Sequence, residues 1–308
     1  MNTTANIKHE NSILKVSVFT NLLLALIAVY YGFKTGSEAI KLDGYYSFAG
    51  FLLALISLWV VNKVMKPESS NFNFGYSLIE PLFNLVKGLM ILVVVSSSFV
   101  NAINTLFHGG NTPAFKESIV YFFISTISCL ILSVLFYRRN KSAPSPIIHV
   151  EYKNWLIDTV ISASIGVAFI TSYFLQQTSF DSWIKYTDPI VTLIIVAIII
   201  KLPVTTIYIS LKEILLTAPD KSIVKQIDQN IQQILSEYDY QNFNFKATKT
   251  GREIYILVHI QVLNQNTPLY LMNTQDEVRK KTESELAKLY NNVKIDIVFS
   301  ENDIDYDF

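Results

Sequence analysis

Six apolar stretches, each about as long as a bilayer is wide, govern what this chain can fold into. A helix needs roughly 20 mainly apolar residues to cross the hydrocarbon core. Six segments meet that length: Ile13 to Phe33, Ala39 to Val64, Leu78 to Phe107, Phe115 to Phe136, Trp155 to Phe174 and Tyr186 to Ile207. Charged residues make up only 16% of the 308, against about 25% in ordinary soluble domains. From Asp220 onward the acids, bases and amides return and the long apolar runs stop. The expected fold is therefore an α-helical membrane protein with six transmembrane helices and a C-terminal soluble domain. Residues 1–211 form the first part and 212–308 the second, with the passage between them near Lys212 to Pro219.

The first apolar run carries no small-residue cleavage site, so it reads as a retained span and not a signal peptide. Lysine and arginine set the expected orientation. Lys63, Lys66, Arg138, Arg139 and Lys141 mark one side, together with Lys8 and Lys15. The opposite loops hold fewer bases and include Glu38, Glu117 and Asp181. Both termini are expected in the cytoplasm, with the protein in the plasma (inner) membrane.

The tail alternates helix and strand. Asp220 stands as a cap before an amphipathic run from Lys221 to Tyr238, where Ile223, Ile227, Ile231 and Leu235 recur every four residues. Asn242 to Thr248 and Ile254 to Val262 read as strands about a Thr250-Gly251 turn. A second helix follows from a cap at Asn273 to Tyr290, then a last strand, Val293 to Phe299. This α-β-β-α-β order predicts a ferredoxin-like α+β cytoplasmic domain, with helices on one face of a small sheet.

Several classes of function find no support. A formal net charge of +0 gives no footprint for nucleic acid. No phosphate loop and no nucleophile-base constellation is present, so ATP-driven transport, hydrolysis and enzymatic activity are not expected. The single cysteine, Cys129, forms no intrachain disulfide and reads as a buried structural thiol. No prosthetic group is expected.

Ionisable groups inside spans are costly and mark function. Asp43 opens the second span, with Tyr46, Ser47 and Gly50 on its face. Glu80, Asn84 and Lys87 share a stripe of the third, where Glu80 before Pro81 also suits a helix start with Lys87 as counter-charge. Asn154 and Asp158 lie four apart in the fifth. Asp158 lies among Ile157, Val160 and Ile161 with no adjacent base, which makes it the strongest candidate. Asp188 before Pro189 reads as a helix start.

These residues, in order, resemble the cation diffusion facilitators, or cation efflux proteins. The resemblance rests on Asp43-Gly44-Tyr45-Tyr46-Ser47, on Phe74-Gly75-Tyr76 with Glu80, on Asp188-Pro189, and on the exit segment Leu211 to Pro219. It implies a proton-coupled antiporter for divalent metal cations with cytoplasmic termini and a homodimer formed through the soluble domain. It also implies a metal site between the second and fifth spans. At the family's ligand positions stand Tyr46, Gly50, Asn154 and Asp158, and Asn71, Phe72 and Asn73 replace the loop histidines some members use.

Zinc favours imidazole and thiolate, and these positions offer neither. The expected donors are oxygens: Asp158, Asn154, Asp43, Tyr46, Glu80 and Asn84, a set suited to magnesium, manganese or iron(II). Protons would compete with the metal for the carboxylates. The alternative is a degenerate relative that no longer transports and serves as partner, sensor or scaffold. In the tail, His259 with Asp296 is a candidate for a regulatory metal.

Overall fold

The computed structural model describes residues 3–64, 66, 68–142, 146–176, 181–263, 266–290 and 292–301. Helices α1 (Thr3–Thr35), α2 (Glu38–Val64), α3 (Ile79–Phe107), α4 (Phe115–Ser142) and α5 (Pro146–Leu175) correspond to the first five apolar segments. A short α6 (Asp181–Ile184) precedes the sixth, which is broken into α7 (Thr187–Ile199) and α8 (Lys201–Ile214). The break at Ile200 has a local cause. Pro203 has no N–H to give the carbonyl one turn back, so the ladder is interrupted there.

Five helices among the described residues are long and apolar enough to cross a membrane: Val16–Thr35, Ile79–Phe107, Phe115–Lys141, Asp158–Leu175 and Ser182–Ile214. Their outer faces carry Val93, Val100, Ile131, Val167 and Ile198, all exposed. Apolar surface on this scale is tolerable in lipid and not in water.

The chain divides into two compact units. The first holds Met1–Leu58 and Lys87–Thr205, and the second Trp59–Val86 and Thr206–Phe308. In the first unit α4 packs along α5, α1 along α4, and α7 against α5. Gly44 sets how closely α2 meets α1, because a Cβ there would lie 2.8 Å from the Val29 backbone nitrogen. Gly44→Ala forces the two backbones apart and should cost about 1–3 kcal/mol, read as a lower thermal unfolding midpoint in detergent.

Asp188 does more than open its own helix, which is how it reads in sequence. It is the second residue of α7 and fully buried. Its carboxylate accepts from the Ser37 hydroxyl (2.6 Å) and from the backbone N–H groups of Glu38 (2.8 Å) and Ala39 (3.3 Å). It therefore caps the first turn of α2 from another part of the chain. Asn111 adds a bond to Asp188 (3.3 Å) and one to the Gly36 carbonyl (2.8 Å). Gly110, at φ 88°, leaves no room for a side chain beside the Lys185 carbonyl, which the Asn111 N–H reaches at 2.6 Å. Three connections are thereby tied together where α2 begins.

The second unit contains α9 (Lys221–Leu235), β1 (Tyr240–Thr250), β2 (Glu253–Val262), α10 (Met272–Leu289) and β3 (Val293–Ser300). The sheet order is β1-β2-β3, with β1 antiparallel and β3 parallel to β2. Ile254, Ile256, Val258, Ile260 and Val262 alternate on the buried face of β2 and meet Ile227, Ile231 and Leu235 of α9 and Leu286 of α10. Phe243 and Phe245 join from β1 on one face. Two cap readings need correction. Asp220 holds the N-cap position of α9 but its side chain makes no capping bond; its carbonyl accepts from Ile223 and Val224 instead. Asn273 lies inside α10, whose N-cap is Leu271.

A polar seam joins the β1–β2 turn to the rest of this unit. Arg252 pairs with Glu80 (3.2 Å), the Gly251 N–H donates to Glu213 (3.0 Å), and Ser77 donates to Glu253 (2.9 Å). Lys294 bridges Glu68 and Glu253, and the Glu68 carboxylate holds its ammonium above the ordinary lysine range.

Candidate functional site

Span-length helices place three of the expected site residues around one cavity of about 150 Å³ in the first unit. Asp43 and Tyr46 reach it from α2 and Asp158 from α5, with Ser47 and Gly50 on the α2 side. The volume accommodates an ion with several waters. Asp43 is half-buried, whereas Asp158 is exposed. Sequence placed Asp158 about a turn into its span. The helix starts earlier, at Pro146, so Asp158 stands three turns into α5 but at the start of its membrane-crossing stretch.

Both carboxylates act electrostatically on the Tyr46 phenol and on the Cys129 thiol, so their fields converge in this space. Two negative charges facing one small polar cavity can offset the desolvation of one divalent cation. Among the described residues no three of His, Cys, Asp and Glu gather as a ready-made metal cluster. Any ion held here would take its remaining donors from hydroxyls, amides or water.

The fourth helix supplies residues that sequence reasoning missed. Tyr121, Ser125 and Cys129 line the same cavity at helical spacing along α4. The Tyr121 hydroxyl donates to Asp43 Oδ2, and the Ser125 and Ser162 hydroxyls are 3.3 Å apart. Ser162 stands one turn beyond Asp158 on α5. A polar residue every fourth position in the apolar run from Tyr121 to Cys129 was the available signal. Cys129 is buried against Leu24, Leu132, Phe136 and Trp155, as a structural thiol would be, yet it is also on the cavity wall. Cys129 thus adds a thiol to the cavity wall, apart from the positions Tyr46, Gly50, Asn154 and Asp158.

The other expected residues are placed differently. The Asn154 side chain lies outside the described residues. Glu80 is in the first turn of α3, and its ion-pair partner is Arg252 of the β1–β2 turn, where sequence suggested Lys87. Asn84 is half-buried one turn further along. Neither Glu80 nor Asn84 is among the residues lining the cavity. In the tail, Asp296 stands opposite Leu257 and accepts from the Tyr255 hydroxyl (2.6 Å), while His259 stands opposite Val298. That bond to Asp296 pushes the Tyr255 phenol up.

Comparison with known families matches the description "cation efflux transmembrane domain" over residues 14–215. The chain belongs to the cation efflux family. It is an integral membrane protein, and metal cation transport is its function class. Two relatives are similar along much of this cation efflux chain. One is the manganese efflux system protein MneP of Bacillus subtilis, 22% identical over 216 residues, covering 68% of this chain and 70% of the relative. The other is an uncharacterized transporter of Methanocaldococcus jannaschii, 21% identical over 292 residues, covering 92% and 96%.

Proposed function

We propose that this protein exports a hard divalent cation, manganese before magnesium or iron(II), in exchange for protons. The observation that carries this reading is the approach of Asp43 and Asp158, from different helices, to one cavity rich in hydroxyl groups. Oxygen donors favour hard ions, and the name of the Bacillus subtilis relative points to the same metal. Asn154, one turn before Asp158, and the Tyr46 hydroxyl complete the set. Glu80 and Asn84, expected with the third span, act in this reading outside the ligand shell. Metal and protons compete for the same carboxylates, which couples their movements.

The same reading takes α2 as a sixth span, puts both termini in the cytoplasm of a plasma-membrane protein, and treats residues 212–308 as a ferredoxin-like domain through which two copies pair. The chain acts as a transporter and not as an enzyme.

Flux into proteoliposomes tests the reading. The panel is magnesium, manganese, iron(II), cobalt, zinc and cadmium, each with and without a pH gradient. Manganese flux driven by the gradient and exceeding that of zinc and cadmium is expected. Absence of flux for every ion, with folded protein confirmed in the vesicles, overturns it in favour of a non-transporting relative.

A further inference from the structure

The cavity contains a side chain that acts on a ligand from a third helix. Tyr121 of α4 is 1% exposed, and its hydroxyl donates to Oδ2 of Asp43. Among the described residues Oδ1 receives no hydrogen bond. The phenol is itself held: its ring lies 5.9 Å from that of Tyr31 and 5.2 Å from that of Phe122. The bond takes one lone pair of Oδ2 and sets the turn of the carboxylate, which leaves Oδ1 the better placed oxygen for a cation.

We propose that Tyr121 is a positioning residue that restricts Asp43 to one-oxygen coordination and thereby selects against large cations. The inference rests on the transport reading above. Calcium takes six to eight oxygens in flexible geometry and commonly uses both oxygens of a carboxylate. Magnesium and manganese accept octahedral oxygen sites in which each carboxylate supplies one donor. A phenol fixed on Oδ2 therefore penalises calcium more than manganese. A neutral donor also leaves the charge of Asp43 in place, so selectivity is set without loss of attraction for a divalent ion.

Competition between manganese and calcium for the purified full-length chain, followed by the manganese paramagnetic resonance signal, tests this directly. Tyr121→Phe keeps the ring and its contacts, and an unchanged thermal midpoint verifies the fold. The manganese-to-calcium affinity ratio should fall about tenfold, the scale of one charge-assisted hydrogen bond. In an Asp43→Asn background the same substitution should leave the ratio where Asp43→Asn alone puts it. An unchanged ratio in Tyr121→Phe, or an equal fall in the Asp43→Asn background, overturns the inference while the transport reading stands. A wild-type chain that binds neither ion overturns the transport reading first and this inference with it.

Discussion

Asp158→Ala should abolish manganese flux in proteoliposomes and leave the protein folded. The side chain is exposed to the cavity and sits three turns into α5, so its removal opens no packed core. Its contribution is charge. At about 4 Å and an effective dielectric near 20, one unit charge pair is worth about 4 kcal/mol, which corresponds to roughly a thousandfold in affinity. A divalent ion feels more than that. Asp158→Asn should fail almost as completely, because the amide keeps an oxygen and loses the charge. Asp158→Glu should retain partial flux. Flux in Asp158→Ala equal to wild type would sink the assignment of this carboxylate to the ion's path.

A different carboxylate, Asp188, should govern stability. Asp188→Ala leaves the Ser37 hydroxyl and the Glu38 and Ala39 N–H groups without their acceptor, in a place where Asp188 itself is fully buried. Leaving buried donors without an acceptor costs about 1–3 kcal/mol each, a large share of the stability of any domain. The start of α2 should fray, and with it the helix that carries Asp43 and Tyr46. The expected result is a sharp drop in monodisperse protein after extraction and a lower unfolding midpoint. Asp188→Asn, which keeps one accepting oxygen, should fall between. A wild-type midpoint in Asp188→Ala would remove the capping role assigned here.

The spans were legible in sequence because lipid permits few alternatives: a long apolar run must be a helix, and its length fixes the rest. Asp43, Tyr46 and Asp158 stood out because polar groups in such runs are conspicuous. Glu80 stood out for the same reason, yet its partner is Arg252, far along the chain, and no local pattern announces that pairing. Asp188 shows the same limit, since its acceptor role is toward Ser37 and its neighbours. Tyr121 escapes notice and Cys129 reads as structural because tyrosine, serine and cysteine are tolerated in membrane helices as packing residues. Only the cavity distinguishes the polar stripe of α4 from ordinary filling. The interruption at Ile200 was readable from Pro203 and from little else.

The polar seam around the β1–β2 turn bears on how this protein can be taken apart. Sequence invites a cut at Lys212 to release a self-sufficient soluble piece. The folded unit, however, also includes the stretch Trp59–Val86, far earlier in the chain. A fragment of residues 212–308 would carry Arg252, Glu253 and Lys294 into water without Glu80, Ser77 and Glu68. Its surface would differ from that of the intact protein in charge and in shape at the turn. Metal titrations or pairing measurements on such a piece would describe an incomplete object, and co-expression with the missing stretch, or work on the whole chain, avoids that error.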